Sequence, residues 1–540
     1  MAERYDAVVI GGGHNGLTAA AYLARAGWSV LVLERRHILG GATVTEEIFP
    51  GFKFSVASYV VSLLRPDIIR DLELARHGLE ILPVDGTLTP LGLGEGEYLW
   101  RVDDHGRKMR ELRRWSKRDA EAYDEYALLM SEMGRFVKPL LDEGAPRTGA
   151  GLDPRGVLGL AGFARRFAAL PEAQQTAFIQ LLTMSSAEFV SQWFETEPLR
   201  ATLAASGIIG TFLSVRSPGS AYVLLHHYMG EIDGEFRAWG LPRGGTGAVL
   251  AGGSGDGARE NGAELRTEAP VARVIVADGK ATGVVLDSGE EIEAGAILSS
   301  ADVRRTLLDL LEPGTLAAED EEAVRRYQFR GSSGKVNFAL SRLPTFRCLP
   351  PGTSDHFRGM VSLSPSLDYL DEAYDDAVEG RFSRRPYVDM GFPSVIDPSV
   401  APPGKHVMAC FVQYAPYRLS PDLGTWDDQR EAFGDAVQDA IAEYAPDIHD
   451  CVLHRQVLTP WDIEQRFGLT EGNIFQGELL LGQLFNNRPL PGAGYRTPVK
   501  NLWLCGSSAH PGGAISGAPG RNAAREVLGS AGRGRQERVA

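Results

Sequence analysis

The sequence predicts an α/β fold in which a Rossmann-like dinucleotide-binding domain is interleaved with an α+β substrate domain. Residues 5–41 (YDAVVIGGGHNGLTAAAYLARAGWSVLVLERRHILGG) give strand, glycine turn, helix, strand and acid in that order. Residues 501–528 (NLWLCGSSAHPGGAISGAPGRNAAREVL) close the chain on another strand, glycine loop and helix. Helical periodicities and strand-like runs alternate between these two ends.

The first element is a short apolar strand over 5–10, which Gly11-x-Gly13-x-x-Gly16 turns into a helix. Leu17, Ala20, Ala21 and Ala24 recur at helical spacing and make one apolar face. Gly27 stops the helix, a second strand runs over 29–33, and Glu34 stands at its carboxyl end. Gly11 permits a tight turn, Gly13 lets the backbone approach a pyrophosphate, and Gly16 lets the helix pack on the strand. Free N–H groups at the helix start offer phosphates the favourable end of the helix dipole. Glu34 can accept hydrogen bonds from a ribose diol, which disfavours a 2′-phosphate there.

A second glycine pair, Gly40-Gly41, follows Glu34-Arg35-Arg36 and allows close passage over the pyrophosphate and ribityl region of an extended FAD. At the far end, a strand over 502–505 is broken by Gly506, and a glycine-rich loop leads into a helix over 518–528. A cofactor that touches both chain ends is FAD rather than NAD. The helix start near 515–518 can face the flavin edge where negative charge gathers on reduction. The expected cofactor-binding set is Gly11, Gly13, Asn15, Gly16, Glu34, Arg35, Gly40, Gly41, Ala42, Gly506, Gly512, Gly513, Ile515, Ser516 and Gly517.

With LPRGGTGAV (241–249), YVLLHHYMG (222–230), FVQYAPY (411–417), GLTEGNIFQGE (468–478), YRTP (495–498) and HPGG (510–513), the two ends resemble the phytoene desaturase-related FAD oxidoreductases. The chain looks most like the branch named pyridine nucleotide-disulfide oxidoreductase domain-containing protein 2, with desaturase-like carotenoid ketolases as close cousins. The resemblance covers nearly the whole chain, and its internal motifs separate the branch from the amine oxidases. It implies an FAD domain of the glutathione reductase/amine oxidase-like type, with Val271, after Pro270, meeting the adenine through its backbone. It also implies that Tyr414 and Gln476 face the pocket. Two positions depart from the branch: Gln476 stands where a histidine is expected, and Gly482 where an aspartate is expected. If those polar residues serve the branch's chemistry, this chain has lost or changed it. GGSGDG at 252–257 falls where the family is helical, and its four glycines are expected to break that helix.

At 540 residues and 44% apolar, the chain can bury a large core and form two or more lobes. A formal charge of −15 argues against nucleic-acid binding through the overall field. The first strand begins at residue 5, leaving no room for a signal peptide, and no run of 18 apolar residues exists. The cysteines, Cys348, Cys410, Cys451 and Cys505, lie far apart without a CxxC pair, so no dithiol relay to the flavin is expected. This usage fits a reducing cytoplasm. Apolar helical segments at 155–171 and 199–215 leave a peripheral membrane contact open, although ordinary core packing explains them better. No metal-ligand cluster and no GxSxG elbow is seen, so no metal is expected.

The FAD-binding domain is expected to be discontinuous, over 1–90, 241–304 and 491–528. Asp278-Gly279 and Ser288-Gly289 mark an antiparallel meander at 271–300 whose last strand rejoins the FAD sheet. Residues 91–240 and 305–490 are expected to form the substrate domain, a helical lobe plus a sheet, and 529–540 a disordered tail.

The expected function is an FAD-dependent oxidoreductase that desaturates or oxidises a hydrophobic isoprenoid or polyene by hydride transfer to flavin N5. Such chemistry needs mainly a shaped apolar pocket. Without a second GxGxxG unit for NADPH, electrons are expected to leave for oxygen or a quinone. Alternatives are a carotenoid ketolase or flavin-dependent isomerase, a flavin-bearing scaffold of low turnover, and, more weakly, an amine oxidase. Catalytic side chains are not fixed by the sequence; His226, His227, Tyr414, Gln476 and His510 are the pocket candidates.

Overall fold

The structure is a computed structural model and describes residues 4–142, 154–232, 235–236, 239–249 and 255–537. The expected βαβ unit is present as β1 (Arg4–Ile10), α1 (His14–Arg25) and β2 (Val30–Leu33). Strands β1 and β2 pair in parallel, with Ala7 opposite Val30 and Ile10 opposite Leu33. β2 is buried throughout and β1 over Ala7–Ile10, as the apolar runs of a covered parallel sheet require.

This sheet has seven strands, in the order Glu264–Arg266, β2, β1, Glu291–Ser299, Lys280–Leu286, Val271–Ala277, and Leu502–Leu504 also pairs with Glu291–Ser299. The meander turns at Asp278 and Gly279, with φ of +50° and +72°, and again at Gly289, with φ of +87°. Its last strand is antiparallel to Lys280–Leu286 near its start and parallel to β1 along its length. Leu502–Leu504 then lies parallel to that same strand, so both chain ends enter one sheet. Helix α1 packs against the final helix, Ala518–Glu537, closely enough that a Cβ on Gly520 would meet the Asn15 carbonyl oxygen at 2.0 Å.

A second seven-stranded sheet runs Val452–Leu458, Ser333–Leu340, His406–Gln413, Tyr387–Gly391, Met360–Leu363, Thr87–Pro90, Tyr98–Arg101. Thr87–Pro90 falls inside the first stretch expected for the FAD domain, yet it pairs in parallel with Met360–Leu363. The chain therefore crosses to the second sheet a few residues before 90. Helices at Lys117–Asp142, Glu197–Ala204 and Ser220–Tyr228 cover this sheet's neighbourhood with a shared apolar core.

The segment 199–215 is helical only to Ala204. A tight turn at Ala205–Gly207 and Gly210, with φ of +72°, redirect it. Leu199, Leu203, Ile208 and Val215 go into the core. In the helix Pro154–Ala168, Leu158 and Leu160 are exposed. No helix among the described residues is long and apolar enough to cross a membrane.

The last helix runs to Glu537, and near its middle Arg496 donates to Ser530 Oγ and Ser530 Oγ donates to the Glu526 carbonyl, both at 2.9 Å. Residues 538–540 lie outside the described residues. Of the glycine run 252–257, residues 252–254 lie outside them too, and Gly255–Glu260 is a short helix.

Candidate cofactor and substrate site

A cavity opens at the carboxyl ends of β1 and β2, where parallel sheets place their ligands. Gly11, Gly13, Asn15, Glu34, Arg35, Gly40, Gly41, Ala42 and Val271 all line it. The turn is built as its glycines demand. Gly11 has φ of +93°, and a Cβ on Gly16 would meet the Gly11 carbonyl oxygen at 2.1 Å, so that glycine serves packing. A Cβ on Gly13 would meet no atom within 4 Å, so this position keeps space open beside the helix start. The second glycine pair crosses directly over the first turn: Gly40 N–H donates to the Gly12 carbonyl at 2.9 Å, and Gly41 lies against the Gly13 Cα.

Glu34 is buried, with one carboxylate oxygen accepting from Gly12 N–H at 2.8 Å and the other from Arg36 N–H at 2.9 Å. Each oxygen keeps a lone pair for a further donor. Asn15 Nδ2 donates to Ser507 Oγ at 3.1 Å, whereas its buried Oδ1 has no partner among the described residues. An open glycine turn at a helix N-terminus, a fixed carboxylate and an orphaned acceptor fit a dinucleotide.

The carboxyl-terminal loop meets this turn. His14 Nε2 lies 3.1 Å from the Ala514 carbonyl oxygen, and Arg65 N–H donates to the Ser516 carbonyl at 3.2 Å. Its glycines are held by close packing. A Cβ on Gly506 would meet the Ser300 carbonyl oxygen at 2.3 Å, one on Gly513 would meet Phe475 at 2.1 Å, and one on Gly517 would meet Ile68 at 2.8 Å. Gly512 has φ of +114° and abuts Arg488. Ile515 and Ser516 are buried, and none of the expected residues from 512 to 517 lines the dinucleotide cavity. Arg488 staples the loop: fully buried, it donates to the carbonyls of Phe475 at 2.7 Å, Gly477 at 3.0 Å and Ser507 at 2.9 Å.

Gln476 lines the cavity and ties its two walls, donating to the Ser300 carbonyl at 3.3 Å and accepting from Ser508 N–H at 3.1 Å. Gly482, the other departure from the branch pattern, is exposed, and a Cβ there would meet nothing within 4 Å. His226 is buried beside Phe475, and its Nε2 has no hydrogen-bond partner among the described residues. Burial, with His227 and Arg488 adding positive charge, lowers its pKa to about 3. His510 contacts the Leu140 carbonyl through Nε2, and burial lowers its pKa to about 4. Both imidazoles are therefore neutral at pH 7, each keeping a single N–H. Tyr414 is a core residue: its hydroxyl donates to the Leu213 carbonyl, and it lines neither the dinucleotide cavity nor the second cavity below.

A second polar centre lies in the other sheet. Lys335 is in register with Phe411, and Phe411 with Asp389, so the three share one sheet face. The Tyr59 ring stacks on Phe411 at 5.9 Å, its hydroxyl donates to Asp389 Oδ2 at 3.2 Å, and Lys335 Nζ lies 4.6 Å over the same ring. Lys335 Nζ has no hydrogen-bond partner among the described residues. Burial lowers the Lys335 pKa to about 7; burial raises that of Asp389 to about 7 against the opposing pull of Tyr59, Lys335 and Arg101. Tyr59 follows Ser58, whose N–H donates to the Ala42 carbonyl at 3.1 Å, so this centre adjoins the second glycine pair.

Asp389 also lines a cavity of about 330 Å³ with Arg101, Thr202, Tyr123, Trp239 and the candidate His227, whose Nδ1 contacts the Val223 carbonyl. Sequence reasoning did not single out Tyr59, Lys335, Asp389 or Arg101. The available signal was a charged residue inside a strand otherwise buried on both faces, as in GKVNFAL and YVDMG.

Residues 161–528 match the family model described as flavin containing amine oxidoreductase, and residues 9–70 match that of an NAD(P)-binding Rossmann-like domain. The chain belongs to the flavin-containing amine oxidoreductase family. Within that family it is 42% identical to pyridine nucleotide-disulfide oxidoreductase domain-containing protein 2 of Rattus norvegicus, over 98% of this chain and 94% of that protein. A limonene dehydrogenase subunit of Castellaniella defragrans is 29% identical, over 97% and 94% of the two chains. A lycopene-forming phytoene desaturase of Pseudescherichia vulneris is 27% identical, over 94% and 96%. A solved oxidoreductase from Methanosarcina mazei shares the fold, with a TM-score of 0.60 at 18% identity, over 97% of this chain and 99% of that one. The desaturase-related resemblance thus holds inside a family that bears the amine oxidoreductase name.

Proposed function

We propose that the protein is an FAD-dependent oxidoreductase acting on a largely apolar substrate, with isoprenoids the first class to test. One observation carries the cofactor: the glycine turn, the second glycine pair and the carboxyl-terminal loop, distant in sequence, are bonded to one another around a single cavity. Bound there, FAD supplies the two-electron acceptor. The N–H groups at the start of α1 would receive the pyrophosphate and Glu34 the ribose diol. Tyr123, Ile209, Trp239 and Met360 line part of the second cavity, beside polar and charged groups, and would orient the apolar body of a substrate there. Tyr59, Asp389 and Lys335 form a polar cluster, and its member on the cavity wall, Asp389, with a pKa raised by burial to about 7, is suited to hold the proton that oxidation releases. Oxygen or a quinone would take the electrons onward. The names of two relatives, limonene dehydrogenase and phytoene desaturase, support the isoprenoid class.

The test is anaerobic mixing of the flavin-loaded protein with limonene or phytoene, following the flavin absorbance. Bleaching by either is expected. Bleaching by amines alone would overturn the substrate class, and a protein that neither carries nor takes up flavin would overturn the whole reading.

A further inference from the structure

Among the described residues, buried arginines are matched, with one exception. Arg488 is surrounded by backbone carbonyls, and Arg521 pairs with Asp67 and Asp142. Arg65 is held by Asp142 through two hydrogen bonds. Arg101, at the end of the strand Tyr98–Arg101, is only 8% exposed. Its Nε is buried without a partner among the described residues, and its guanidinium reaches one side chain, Thr202 Oγ1, at 3.4 Å. It lines the 330 Å³ cavity beside Asp389.

We propose that Arg101 receives a carboxylate of the substrate, so that the molecule oxidised is an apolar acid. This rests on the oxidoreductase reading and narrows its substrate class. A guanidinium does not deprotonate in a protein, so its charge persists in the cavity. A buried charge is stabilised by a partner of opposite sign, and the planar fork of arginine matches a carboxylate through two parallel hydrogen bonds. The other charged groups on the cavity wall leave this role to the ligand. Asp389 feels the Arg101 charge, but it makes no hydrogen bond or ion pair with that guanidinium among the described residues, and its Oδ2 accepts from Tyr59. Asp103 is exposed, and Lys108 lies over the Tyr123 ring at 5.5 Å. His227 is engaged by the Val223 carbonyl. Tyr123, Ile209, Tyr228, Trp239 and Met360 offer the acid's body an apolar and aromatic surface. A plain hydrocarbon would leave the Arg101 Nε without an acceptor, and an amine would set a second positive charge beside it.

The experiment is isothermal titration calorimetry of the flavin-loaded protein with decanoate, decanol and decylamine as probes. Decanoate is expected to bind at least about tenfold more tightly than decanol. Arg101→Gln removes that preference and Arg101→Lys keeps part of it. Equal binding of decanoate and decanol, tightest binding of decylamine, or a preference that survives in Arg101→Gln would overturn the proposal. If Arg101→Gln does not fold, the wild-type series and Arg101→Lys decide. Binding heat does not depend on turnover. A carboxylate preference in a protein that takes up no flavin would sink the oxidoreductase reading alone; a flavin-loaded protein without the preference would sink this proposal alone.

Discussion

Asn15 and Ser507, 492 positions apart, are joined by a 3.1 Å hydrogen bond between amide and hydroxyl. That bond places the glycine turn of the first βαβ unit against the carboxyl-terminal loop. Both ends of the chain therefore shape one cavity. The same pair exposes a need, because the Asn15 Oδ1 is buried with no donor to it among the described residues. The unmatched acceptor sits where a dinucleotide would pass.

Gly13 and Gly16 are predicted to separate binding from folding. A Cβ at position 13 meets open space, so Gly13→Val is expected to leave the melting of the flavin-free protein near that of the wild type while flavin uptake is lost. Gly16→Val drives a Cβ onto the Gly11 carbonyl oxygen, which is backbone and cannot turn aside. A loss of about 2–4 kcal/mol is expected from such overpacking. Flavin absorbance and urea unfolding, measured on both variants, check the contrast.

Arg488→Met should cost about 3–5 kcal/mol, because it strands the buried carbonyls of Phe475, Gly477 and Ser507 that one guanidinium now serves. Urea unfolding reads this directly. Arg488→Lys, with fewer donors and no planar fork, should recover only part of the loss.

The βαβ unit, the meander and the closing strand and helix were legible in the sequence because their glycines meet specific steric demands. Gly16 against the Gly11 carbonyl and Gly520 against the Asn15 carbonyl are two examples. Parallel strands buried on both faces also write long apolar runs, as β1 and β2 do. The polar centre was not legible. Tyr59, Lys335 and Asp389 come from three distant segments and meet only through the register Lys335–Phe411–Asp389. No local spacing encodes a partner two strands away. Tyr414 sits in a distinctive motif, and its hydroxyl donates to the Leu213 carbonyl in the core.

The buried Lys335 predicts a pH signature. Burial lowers its pKa from the usual 10.5 to about 7, so between those values the unfolded chain binds a proton that the folded chain does not. Stability from this group therefore rises as pH climbs from 7 toward 10.5. Asp389 works in the opposite sense, its pKa raised from 3.8 to about 7, so its contribution is lost as pH rises through that window. Urea midpoints across both windows should flatten in the upper one for Lys335→Met and in the lower one for Asp389→Asn.

The central claim is that one FAD lies between the amino-terminal glycine turn and the carboxyl-terminal loop. The most direct measurement is the flavin released per chain when the purified protein, first incubated with FAD and then desalted, is denatured. One FAD per chain is predicted for the wild type and near none for Gly13→Val. A wild-type protein that keeps no FAD after desalting would contradict the account.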